Sequence, residues 1–106
     1  MNNNGFAKVA LKDDISVSRP KRINTGGREI VLFRSGEEIF AIENLCPHQL
    51  FSVFHQAKLD GYTLTCPMHG WSFDIRNGKN IAGSGRIKTY DIQLDGNDVW
   101  LKIPEE

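Results

Sequence analysis

Apolar and polar positions change places at short intervals along this chain, and no segment sustains apolar residues at helical spacing. Ala7 to Leu11 alternates briefly and reads as an edge strand, which Asp13-Asp14 breaks. Ile15 to Ile23 is poor in pattern and contains Pro20. It predicts a loop with a short strand near Lys21 to Asn24, before a turn at Gly26-Gly27. Glu29-Ile30-Val31-Leu32-Phe33 and Ile39-Phe40-Ala41-Ile42 are β-branched and aromatic, and Ser35-Gly36-Glu37-Glu38 between them makes a hairpin. Its second strand runs into Leu45-Cys46. Leu59 and Tyr62-Thr63-Leu64-Thr65 flank Asp60-Gly61, a strong hairpin signal whose second strand delivers Cys66. Trp71 to Ile75 alternates and leads into Asn77-Gly78, another tight-turn pair. Ala82-Gly83-Ser84-Gly85 reads as a link. Ile87 to Leu94 and Val99 to Ile103, joined by Asp95-Gly96-Asn97-Asp98, make a last hairpin. The expectation is an all-β, antiparallel domain, a sandwich or a small barrel-like fold.

Composition narrows the function classes. With 106 residues there is room for one domain, residues 1–106, and one modest core. Thirteen basic residues balance thirteen acidic ones, which argues against nucleic acid as a partner. No apolar run is long enough to span a bilayer, so no membrane role is expected. Met1 to Gly5 lacks the basic and apolar blocks of a signal peptide, which makes a cytoplasmic location the default expectation. In that compartment the two cysteines are expected as thiols available to a metal rather than as a disulfide.

The chemistry concentrates in Cys46-Pro47-His48 and Cys66-Pro67-Met68-His69, which hold both cysteines and two of the three histidines. Two thiolates and two imidazoles complete a four-ligand metal set. Zinc accepts it, and so does an iron–sulfur cluster with histidine on one iron. Pro47 and Pro67 fix φ beside the ligands and rigidify the loops. His55, in the insert between the loops, reads as a surface residue.

These motifs, with Gly70-Trp71-Ser72-Phe73-Asp74 after the last histidine, Asp60-Gly61 before the second cysteine and Asn77-Gly78 beyond, resemble the Rieske motif. The resemblance is greatest to Rieske-type ferredoxins of ring-hydroxylating dioxygenases and covers roughly residues 28 to 80. It implies a Rieske-like antiparallel β-sandwich with a small cluster-binding subdomain of two loops, at about residues 45–75. It also implies a 2Fe–2S cluster with Cys46 and Cys66 on one iron and His48 and His69 on the other. Two neutral imidazoles in place of two thiolates leave the oxidised cluster neutral. Its potential then falls in a window of about −150 to +300 mV. High-potential members of the family carry an extra cysteine pair and a serine and tyrosine that donate to the cluster sulfurs. This chain has no further cysteine, with Trp71 in the serine's place and Phe73 in the tyrosine's, so the low end of the window is expected.

The chain departs from the family pattern at Gln49-Leu50-Phe51-Ser52-Val53-Phe54, which lacks the usual glycines and proline, at Ala57 and at Ile81-Ala82-Gly83-Ser84-Gly85. Phe73 and Trp100 read as core, while Phe51 and Phe54 suit either packing or a transient interface. The function implied is a one-electron carrier passing electrons from a reductase to a terminal oxygenase or related oxidoreductase. A small Rieske subunit of a multisubunit reductase such as nitrite reductase is the first alternative. The second is a zinc-stabilised, non-redox interaction module. The mononuclear iron domain of an oxygenase, with its two histidines and a carboxylate, is not expected here.

Overall fold

Ile30, Val31, Leu32 and Phe33 are consecutive, and all four are buried. Successive side chains of a strand point to opposite faces, so such a run needs cover on both sides. The computed structural model describes residues 5–16, 19–25, 27–44, 57–66, 72–81 and 85–102, and within them it shows how that cover is supplied. Strands β1 (Phe6–Leu11), β2 (Lys21–Thr25), β3 (Arg28–Ser35), β4 (Glu38–Glu43), β5 (Lys58–Asp60), β6 (Thr63–Thr65), β7 (Ser72–Asp74), β8 (Thr89–Tyr90), β9 (Ile92–Asp95) and β10 (Asp98–Lys102) form three antiparallel sheets. The one other regular element among the described residues is a 3-10 turn at Lys12–Asp14.

The four-stranded sheet β2-β3-β4-β8 lies in the middle. Ile30 and Leu32 of β3, with Ile39 and Ala41 of β4, face one way and join Ile15 and the inward Ala10, Val99 and Leu101 of sheet β1-β10-β9. Val31 and Phe33 face the other way and join Ile42, Leu64, Cys66, Phe73, Ile75 and Ile87, beneath the small sheet β5-β6-β7. Each such side chain contributes about 1.5–3 kcal/mol by leaving water. The two larger sheets are the expected sandwich, and β5-β6-β7 is the small appended part.

The predicted elements recur with two changes. Ile87 to Leu94 is not one strand of a terminal hairpin. Thr89 and Tyr90 pair with Ile42 and Ala41 of β4, whereas Ile92 to Asp95 pair with β10. Between them the chain crosses from the middle sheet to the terminal one, and Lys102 N–H holds the crossing by donating to the Asp91 carbonyl at 3.0 Å. Trp100 is not core. Val99 and Leu101 take the inward positions of β10, so alternation turns Trp100 outward, half-buried opposite Lys8 and Gln93. Phe73, by contrast, is fully buried as expected. Met1 to Asn4, Trp71 and the Ala82-Gly83-Ser84 part of the expected link lie outside the described residues, as does the end of the last expected strand at Ile103.

Candidate metal centre

The register of the small sheet fixes both ends of the segment that holds Cys66 and His69, and the far end of the one that holds Cys46 and His48. Lys58 pairs with Thr65, and Thr65 pairs with Ser72. On the far side of β7, Ile81 N–H donates to the Ser72 carbonyl at 2.8 Å. These four residues form one row across one end of the sheet. Residues 66–71, which include Cys66 and His69, connect Thr65 to Ser72 within that row. Residues 45–56, which include Cys46 and His48, connect Asn44, after β4, to Ala57 beside Lys58. Both ends of the Cys66 segment and one end of the Cys46 segment therefore stand at the same row. Gly61, in the left-handed region at φ 64°, makes the turn between β5 and β6 that brings this about.

Cys66 is the one predicted ligand among the described residues; Cys46, His48 and His69 lie outside them. It is 0% exposed and sits in the apolar cluster with Val31, Phe33, Leu64 and Phe73. Ala57, where the first loop returns, packs against the same cluster. A thiolate in such surroundings is costly unless a metal compensates its charge, and a metal site needs the apolar shell to exclude water. A buried sulfur donor at a strand end, in apolar surroundings that exclude water, fits a ligand of an iron–sulfur cluster. His55, Phe51, Phe54, Pro47, Pro67 and the atypical segment Gln49 to Phe54 also fall outside the described residues.

The root of the first loop is held by groups that the sequence did not single out. Asn44, only 2% exposed, donates its backbone N–H to the Glu29 carbonyl at 2.9 Å and its side-chain amide to Glu29 Oε1 at 3.1 Å. Glu29 Oε2 in turn accepts from Arg22 Nε and Nη2, at 2.9 and 2.6 Å. Beside it, Glu43 Oε1 accepts from Arg28 Nη1 at 3.2 Å and from the Tyr90 hydroxyl at 2.9 Å. Burial, and then the Glu43 carboxylate, push Tyr90 up to about 12. At the foot of β7, hydrogen bonds from Arg76 hold the Asp74 carboxyl below its ordinary value. The only sequence signal for Asn44 is an amide placed directly after a buried strand, which is a weak one.

Comparison with known proteins decides the family. Residues 5–91 match the Rieske [2Fe-2S] domain family. The chain belongs to that family. Its cofactor is accordingly a Rieske-type 2Fe–2S cluster. Over 97 residues the chain is 32% identical to the ferredoxin component of the naphthalene 1,2-dioxygenase/salicylate 5-hydroxylase systems of Ralstonia sp, covering 90% of this chain and 92% of that protein. It is 31% identical to the 3-phenylpropionate/cinnamic acid dioxygenase ferredoxin subunit of Shigella flexneri serotype 5b (strain 8401), covering 87% and 88%. The ferredoxin of carbazole 1,9a-dioxygenase from Nocardioides aromaticivorans IC177 has the same fold, with a TM-score of 0.83 at 24% identity over 93% of this Rieske chain and 98% of that one. Among the described residues no helix is long and apolar enough to cross a membrane.

Proposed function

We propose that this Rieske chain is a one-electron carrier in which Cys46 and Cys66 hold one iron of the cluster and His48 and His69 the other. The observation that carries the reading is the buried Cys66 sulfur at the end of the strand row that both ligand-bearing segments join. When bound, the cluster takes up and releases a single electron. The chain's own residues do the rest. The thiolates balance the cluster's positive charge, and the apolar cluster under Cys66 keeps water away. Asn44 and Glu43 hold the first loop at its root, and the β6 and β7 ends hold the second.

The donor is a reductase and the acceptor a terminal oxygenase. Support comes from curated relatives of matching length that are ferredoxin components of dioxygenase systems. Residues 1–106 act as one domain, with its cluster-binding part at about 45–75. The location is cytoplasmic, where reducing conditions keep cysteines available as metal ligands.

The test is iron and acid-labile sulfide analysis of freshly made protein, with optical spectra before and after dithionite and paramagnetic resonance of the reduced sample. A coloured protein holding two irons and two sulfides, reduced by one electron, is expected. Neither iron nor sulfide after anaerobic reconstitution overturns the reading.

A further inference from the structure

Residues 75–90 contain four cations, Arg76, Lys79, Arg86 and Lys88, and no carboxylate, in a chain whose charges balance overall. Arg76 pairs with Asp74 at 2.8 Å. Among the described residues no ion pair reaches Lys79, Arg86 or Lys88. Lys88 lies over the Tyr90 ring, 5.7 Å from its centre.

Lys79 and Arg86 face each other across an antiparallel bridge. Residues so paired stand on one face with Cβ atoms about 4.5–5.5 Å apart, where like charges repel. Alternation adds Ile81 to the side of Lys79, and Lys88 to the side of Arg86. Exposure follows that pattern: Lys79, Ile81, Arg86 and Lys88 are exposed, Asn80 is half-buried and Ile87 is buried. Ile81, at 57%, is an exposed large apolar residue beside a patch of positive charge.

The patch also borders the metal centre. Ile81 is hydrogen-bonded to Ser72, and Ser72 pairs with Thr65, the residue before Cys66. Two strand spacings separate Ile81 from Thr65, about 10 Å. At the other flank the Lys88 carbonyl accepts from Glu43 N–H at 2.9 Å, next to the root of the first loop.

We propose that Lys79, Arg86 and Lys88, with Ile81 at one end of their row, form the face on which a redox partner docks, through a protein surface rich in carboxylates beside an apolar spot. The proposal rests on the carrier reading and adds the chemistry of the partner. Carboxylates relieve the apposed cations, and an exposed isoleucine beside a row of cations offers the apolar and charged parts of a transient interface together. A polyanion such as DNA would meet the charges but leave Ile81 without a partner.

Two measurements on the cluster-loaded protein test it. The first is the rate at which the dithionite-reduced protein is oxidised by hexacyanoferrate(III), an anion, and by tris(phenanthroline)cobalt(III), a cation. The rates are followed from about 0.01 to about 1 M ionic strength, over which screening shortens from about 30 to about 3 Å. Salt should slow the anion. Lys79→Glu/Arg86→Glu should slow it by about tenfold at low salt, within the range of electrostatic steering. Arg19→Glu/Lys21→Glu, which makes the same change in net charge, should leave it within about twofold. The second is fluorescence anisotropy with a labelled glutamate-rich peptide containing one leucine, and with a duplex DNA oligomer. The peptide should bind more tightly than the DNA, and Ile81→Ser or the Lys79/Arg86 reversal should weaken it.

Lys79→Gln/Arg86→Gln guards against misfolding: it removes the repulsion and should melt no lower than the parent. Equal effects of the two reversals, rates indifferent to Lys79 and Arg86, or tighter binding of DNA than of peptide would each overturn the docking face while leaving the carrier intact. A protein that forms no cluster would fail the carrier reading, and this partner with it.

Discussion

Thr65 and Ser72 stand opposite each other at the mouth of the Cys66 loop, their hydroxyl oxygens 3.4 Å apart. One row further in, Leu64 pairs with Phe73, and both are fully buried. The loop is therefore clamped by two layers of unequal strength, a weak polar contact above a packed apolar pair. Thr65→Val should cost about 0.5–1.5 kcal/mol of stability, and Leu64→Ala about 2–5 kcal/mol. Urea unfolding of both variants, with iron retention as a second readout, checks the order. Leu64→Ala should also lose iron faster, because the cavity opens in the apolar cluster that holds Cys66.

Gly78 and Gly61 both have positive φ, at 79° and 64°, but they differ in surroundings. A Cβ at Gly78 would collide with the Ile87 carbonyl oxygen, whereas one at Gly61 would meet nothing within 4 Å. The Ile87 N–H donates to the Gly78 carbonyl at 2.8 Å, so the collision cannot be relieved without breaking that bond. Gly61→Ala should cost about 1–2 kcal/mol, the left-handed strain alone. Gly78→Ala should cost clearly more, and thermal melts of the pair give the comparison.

Tyr90 makes stability depend on alkaline pH. Burial and the nearby Glu43 carboxylate raise its folded-state value to about 12, against 10.0 for the ordinary phenol. A group whose folded pKa is raised favours the folded state while it keeps its proton. Its contribution is fully present below about pH 10 and is lost as pH rises through about 12. The ring is partly solvated, so screening reduces the effect below its full linkage value. Tyr90→Phe should flatten the fall in stability between those pH values, as chemical denaturation at a series of alkaline pH values will read.

Much of this was legible in the chain itself. Glu29 to Phe33, Asp60-Gly61 and Asn77-Gly78 declare their strands and turns through local chemistry, and the structure puts them where that chemistry demands. What local chemistry cannot declare is which sheet a strand joins. Ile87 to Leu94 looks continuous because both halves are apolar, yet Asp91 marks a change of partner that only the tertiary arrangement imposes. Trp100 misled for a related reason: its size suggests burial, but its neighbours Val99 and Leu101 already hold the inward register. The two Cys-Pro motifs were legible as a donor set, and the Rieske family match bears out the cofactor they pointed to. Asn44 was not legible, because an amide that anchors a loop root looks the same in sequence as one exposed in a turn.

Phe73 is 0% exposed and shares an apolar cluster with Cys66, and its ring has no hydroxyl to donate. Fewer donors to the sulfurs stabilise the added electron less, so the midpoint should lie at the low end of the window of about −150 to +300 mV. Phe73→Tyr adds an O–H next to Cys66. It should raise the midpoint while costing about 1–3 kcal/mol of stability from overpacking. His69→Cys should do the reverse, because a third thiolate adds negative charge to the reduced state and lowers the midpoint towards the all-cysteine value of about −400 mV. Voltammetry of the three proteins at one pH tests the order His69→Cys, parent, Phe73→Tyr from lowest to highest. A parent midpoint well above zero, or a Phe73→Tyr midpoint that does not move, would show that the buried ring does not govern the charge on the cluster.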